Sequence, residues 1–174
     1  NRAHYGRFEI TRNLYKNLSG TRLIFEEVNP ALGLNFSYAW TSSEQFGFVR
    51  ACSLVNSGPE KADIEVLDGL RNLLPCGVDA SLQATMSTLL DAYKQAETVE
   101  GCAAALYSLS SVPTDRAEPS EALKATVAWC LGFENPGVLL SEAQCASFET
   151  GKTPRPEKTS KGRRGAFFVH DRFE

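Results

Sequence analysis

The sequence predicts a mainly β protein, an antiparallel β-sandwich carrying one longer and one shorter inserted α-helix. Three observations predict it. Apolar residues recur with period two through most of the chain, which is the spacing of a half-buried strand. Turn signals of Asn, Gly and Pro part these runs at short intervals, so neighbouring strands are joined by turns and run antiparallel. One stretch alone, after "PCG", repeats its apolar residues at helical spacing over several turns.

The elements follow in order. Phe8 and Ile10 in "RFEITR" begin the first alternation, and "TRLIFEEV" gives the second. In "LNFSYAW", Leu34, Phe36, Tyr38 and Trp40 share one face and Asn35, Ser37, Ala39 and Thr41 the other. "NPALG" is the turn between these last two. "GFVRACSLVN" and "ADIEVLDGL" are strands around the turn signal "NSGPEK". The long helix starts after "GVDAS", where Asp79 or Ser81 can accept from an unpaired first-turn N–H. Leu82, Met86, Leu89, Leu90 and Tyr93 then form one apolar stripe opposite Gln83, Ser87, Asp91 and Lys94, so the helix buries one side and lies on a surface, covering an end or edge of the sheet. "AALYSLSSV" resumes the strands. "ALKATVAWCLGF" sets Leu123, Ala125, Val127, Trp129, Leu131 and Phe133 against Lys124, Thr126, Ala128 and Cys130, predicting the first set as the buried face. Ser141 and Gln144 make a capping-box pattern for the shorter helix, which ends near Gly151. "GAFFVHD" is the last strand.

The 174 residues fit a single β-sandwich-type domain, 1–174, or part of one. The chain opens at Asn1 and stops inside a strand-like run, which reads as an excerpt of a longer chain. No run approaches the roughly 18 apolar residues of a membrane span, so no membrane partner is expected. Five cysteines stand at least 15 residues apart without C-x-x-C or a neighbouring His. They predict reduced, buried small side chains, no metal site and a cytoplasmic setting. The net charge of -3 conceals a basic loop at 151–165, which is +5 and leaves the remainder at -8. That loop has no aromatics to stack bases, so it is expected to be solvated and no nucleic-acid partner is expected.

No catalytic constellation emerges. Glu26 and Glu27 are strand neighbours pointing to opposite faces, a poor pair for acid/base work on sugars. His4 and His170 lie in strand contexts without a nucleophile beside them, and no phosphate-cradling glycine motif occurs, so no cofactor is expected. The loop "PTDRAEPSEAL" gathers Asp115, Arg116 and Glu118, groups that could knit the loop to itself, the preferred reading, or face a sugar. Trp40 and Trp129 alternate with apolar neighbours and are expected in the core, though either ring could stack on a sugar.

Several longer phrases, "RNLYKN", "RLIFEEVNPALGLNFSYAW", "FGFVRACSLVN", "LDGLRNLLPCGV", "SSVPTDRAEPSEALKATVAW" and "KGRRGAFFV", together resemble the N-terminal region of large bacterial proteins of the cellobiose-phosphorylase-like or glycoside-hydrolase-like kind. The resemblance spans nearly the whole chain. It implies a galactose-mutarotase-like β-supersandwich that precedes a helical (α/α) toroid bearing the catalytic carboxylates. The chain would then be a non-catalytic accessory domain, with the toroid of the same chain, a carbohydrate and a second copy in a homodimer as partners. Asp115, Arg116, Glu118 and Trp40 are the candidate carbohydrate-binding residues. The alternative is a structural or dimerisation module without sugar affinity, and a self-contained aldose epimerase ranks below both for want of a matched His and Glu.

Overall fold

The computed structural model describes residues 9–112 and 123–174. Strands account for 48% of the described residues and helices for 12%, and the three sheets among them are antiparallel, so the mainly β, sandwich-type architecture stands. The chain forms two compact units that divide between Ala62 and Asp63.

The first unit is a four-stranded meander in sequence order: β1 (Thr11–Lys16), β2 (Arg22–Asn29), β3 (Leu34–Ser43) and β4 (Gly47–Asn56). Each pair is a hairpin, and the register sets Phe25 opposite Tyr38 and Tyr38 opposite Cys52. Gly33, at φ +63°, lies so close to Gly58 that a Cβ would come within 2.9 Å of its backbone. Glycine at both places lets the Ser57 N–H reach the Gly33 carbonyl at 2.7 Å, which pins the β2–β3 turn to the end of β4.

The second unit is a two-sheet sandwich. Its elements are β5 (Ile64–Leu73), α1 (Ala80–Thr85), α2 (Ser87–Tyr93), β6 (Lys94–Thr98), β7 (Ala104–Leu109), β8 (Thr126–Trp129), β9 (Gly137–Leu139), α3 (Cys145–Glu149), β10 (Thr159–Lys161) and β11 (Gly165–Phe173). One sheet has the order β10-β6-β7-β8 and the other β5-β11-β9. Between them lies a core in which Ala96, Ala105, Tyr107 and Ala128 of the first sheet meet Phe167 and Val169 of β11, with Val138 and Leu140 beside them. Three alanines and Tyr107 on one sheet thus face Phe167 and Val169 of the other across the interlayer space. Tyr107 adds a bond across it, its hydroxyl donating to the Ala166 carbonyl at 2.7 Å. Gly69 on β5 is required by close approach, since a Cβ there would sit 2.1 Å from the Phe167 carbonyl oxygen.

Several expectations are corrected. The long helix is two short ones, α1 and α2, broken at Met86 (φ -125°, ψ 30°), where Thr85 turns its hydroxyl back to the Ser81 and Leu82 carbonyls. Asp79 does cap α1, accepting from the Leu82 N–H at 2.7 Å. Of the stripe, Leu90 is fully buried against Val78 and Leu109, while Met86 and Leu89 are exposed. Lys94 belongs to no solvent face. It opens β6, is 4% exposed, and its ammonium is held by the Gln83 side-chain carbonyl and by Asp91 at 2.8 Å.

The face of β8 is inverted: Ala128 is buried, whereas Val127, Trp129, Leu123 and Leu131 are exposed. The alternation was real, but Tyr107 and Phe167 leave room only for the small residue of the pair. Ser141 and Gln144 form no capping box; both bond Glu157, and α3 begins only at Cys145. The 151–165 segment contains β10 and is no simple solvated loop. No disulfide joins the cysteines, and only Cys145 is buried, with Cys52, Cys76 and Cys102 exposed.

Candidate functional site

The densest group of ligand-competent side chains in the first unit lies on one face of its meander. Alternation along β3 puts Phe36, Tyr38 and Trp40 on that face, and pairing adds Leu23 and Phe25 from β2 with Arg50 and Leu54 from β4. Phe25 and Tyr38 stack at 4.9 Å with planes 16° apart, and Phe36 leans on Tyr38 at 5.9 Å. The Arg50 guanidinium spans the row, 5.5 Å from the Tyr38 ring centre and 5.9 Å from that of Trp40. Such contacts each contribute about 0.5–1 kcal/mol at partly exposed sites. All four aromatics are half-buried, and none belongs to a fully buried cluster. Trp40 is therefore neither core nor isolated; it is one end of an aromatic row with a cation laid along it. Aromatic faces of this kind suit the C–H face of a sugar ring, with guanidinium N–H groups as donors to hydroxyls.

The opposite face is polar and knitted. Glu26 accepts from Asn13 Nδ2 at 2.9 Å, the Tyr15 hydroxyl at 3.1 Å and Asn35 Nδ2 at 3.3 Å. These bonds, Asn13 first, hold its carboxyl below the usual range, and the same carboxylate raises the Tyr15 hydroxyl. Glu27 turns to the other face and pairs with Arg12 at 2.7 Å. The two acids thus have separate partners on separate faces.

In the second unit His170, on β11, meets Glu65 at 2.7 Å and sets its ring edge-on to Phe148. Hydrogen bonds from His170 and then Thr153 keep Glu65 below its ordinary value. Asp171 is buried and accepts from the Glu134 and Asn135 N–H groups at 2.9 Å each; the Asn135 bond leads in depressing its carboxyl. Among the described residues no group of three or more His, Cys, Asp or Glu could hold a metal ion, and no helix is long and apolar enough to cross a membrane. Asp115, Arg116, Glu118 and His4 lie outside the described residues.

Of the sequence candidates, then, Trp40 alone can be placed in a built surface. Phe25 and Arg50 were missed there because their membership depends on strand register, which "LNFSYAW" by itself does not carry. No family model and no curated protein matches the chain.

Proposed function

We propose that the chain is a non-catalytic accessory β-sandwich region of a bacterial carbohydrate-active enzyme of the glycoside phosphorylase or hydrolase kind, working in the cytoplasm and packing on an α/α toroid of its own chain. The observation that carries this reading is the Phe25–Tyr38–Trp40 row with Arg50 laid along it, a surface suited to stacking on sugar rings. The resemblance of its longer phrases to the N-terminal regions of such enzymes is in keeping with it.

Calorimetric titration with cello-oligosaccharides tests it directly. Saturable binding is expected, weakened at least about tenfold by Trp40→Ala, the size of one lost stacking contact. Absence of binding, or equal binding by the variant, would overturn the sugar-contact reading. A second reading, a dimerisation module, draws on Leu14, Phe48 and Leu54, which are exposed on that same face. A dimer in sedimentation that Phe48→Glu converts to monomer, without sugar affinity, would favour it.

A further inference from the structure

A sheet ends in edge strands, whose unpaired N–H and C=O groups can take up another strand unless shortness, charge, proline or a bulge prevents it. Most edges of this protein are guarded in that way. In the first unit β1 is six residues long and carries Arg12 and Lys16, both exposed. In the second unit β8, β9 and β10 run for four, three and three residues, and β10 carries Lys161. The longer β5 is bulged at Asn72 and bears Glu65, Asp68 and Arg71.

Strand β4 has none of these guards. It runs for ten residues, holds no proline, and keeps an unbroken register with β3 from Gly47 to Asn56. Among the described residues β3 is its only strand partner. Apart from Val49 and Arg50 the strand is exposed throughout, Phe48 at 84%, Leu54 at 38% and Val55 at 50%. Its one charged side chain is turned inward, with the Arg50 guanidinium laid over Tyr38 and Trp40 of β3 and away from the open edge.

We propose that this edge pairs with β4 of a second copy of the chain, antiparallel and centred on Ala51, joining two meanders into one eight-stranded sheet. The spacing of the exposed apolar residues selects both the occupant and the register. Phe48 and Leu54 share a face and lie three residues to either side of Ala51, so a twofold axis there sets each Phe48 opposite Leu54 of the other copy. Val49 then meets Ser53, Gly47 meets Val55, and two alanines meet on the axis, so no like charges stand directly opposite. The guanidinium groups lean over their own β3 strands and so away from each other. Pairing of β4 with β1 of another copy would add copies without closing, and Arg12 and Lys16 stand against it. The axis is perpendicular to the sheet, so both aromatic rows face one way, their β3 strands about 14 Å apart across three strand spacings. The pairing itself does not rest on the sugar contact proposed for those rows.

Sedimentation equilibrium of the chain tests the proposal, and a dimer is expected. Ala51 is exposed and lies on the face opposite the aromatic row, so a charge placed there disturbs this edge and not that face. Ala51→Lys and Ala51→Glu should each raise the dissociation constant at least about tenfold, because like charges meet on the axis. An equimolar mixture of the two should return to within about threefold of the original constant, since an ammonium then meets a carboxylate. Leu14→Glu, on the aromatic face but at the far edge of the sheet, and Trp40→Ala should leave the dimer unchanged. A chain that stays monomeric would overturn the proposal and leave the edge to a strand of another protein. Ala51 variants that dimerise like the original, a mixture that does not recover, or a dimer lost with Leu14→Glu, the mark of face-to-face packing, would each overturn it as well.

Discussion

Leu90 and Leu89 are adjacent in α2 yet meet opposite environments, the first fully buried and the second 44% exposed. Helical geometry turns consecutive residues by about 100°, so only one of them can point into the cluster with Val78 and Leu109. Leu90→Ala should therefore cost about 2–5 kcal/mol, through lost transfer energy and the cavity left behind. Leu89→Ala should stay within about 1 kcal/mol. Urea melts of the two variants check this, and equal losses would contradict the packing described. Lys94 teaches a related lesson. Its type and its helical spacing place it in solvent, whereas the chain leaves the helix at that residue and folds the ammonium back onto Gln83 and Asp91. Burial, the largest single influence, would on its own raise the Asp91 carboxyl, but the hydrogen bond and charge of Lys94, with Gln83 and Arg164 beside them, together outweigh it and keep the group below its usual range.

At the level of elements, β5 holds a bulge. Leu73 pairs with Gly165 and Arg71 with Ala166, so Asn72 has no partner across the ladder, and it adopts φ 57°. Asparagine tolerates that left-handed conformation and a β-branched residue does not. Asn72→Gly should be neutral or slightly stabilising, while Asn72→Val should cost about 1–2 kcal/mol; thermal melts of both variants give the comparison. Strands β2 to β5 were legible to within three residues at each end, because each runs for eight or ten residues with alternating apolar positions. By contrast β9 and β10 span three residues each, too few for a period to show. β6 was hidden because "KQAET" continues the polar face of a helix as well as it makes a strand. The two faces of β8 could not be assigned without knowing that Tyr107 and Phe167 already fill the space beneath it. The aromatic row was legible in β3 and illegible across strands, since register is a property of pairs.

Across the whole molecule, Glu26, Asp63, Glu65, Asp91 and Asp171 all have carboxyls held below their ordinary values by hydrogen bonds or nearby cations. A depressed carboxylate contributes stability that is complete above the ordinary range of about 4 and disappears as pH falls through it toward the folded value. Melting temperature is thus expected to be level between about pH 5 and 7 and to drop steeply below about 4, with Asp171→Asn showing a shallower drop. A melting temperature that rises on acidification would contradict these assignments.

The position of β11 sets the order in which the second unit can be completed. It is the middle strand of its sheet, yet it comes last in sequence, and its register joins Phe173 to Ile64 across more than a hundred residues. Until β11 exists, β5 and β9 have no ladder to join, and Tyr107 has no carbonyl to reach. On a ribosome the meander β1–β4 can zip hairpin by hairpin as it emerges, because all its contacts are between neighbours. The sandwich must instead wait with its apolar faces open until its final strand is released, a long-range closure that is intrinsically slow. Through that interval the faces that will meet Phe167 and Val169 stay uncovered, the condition under which incompletely folded chains associate.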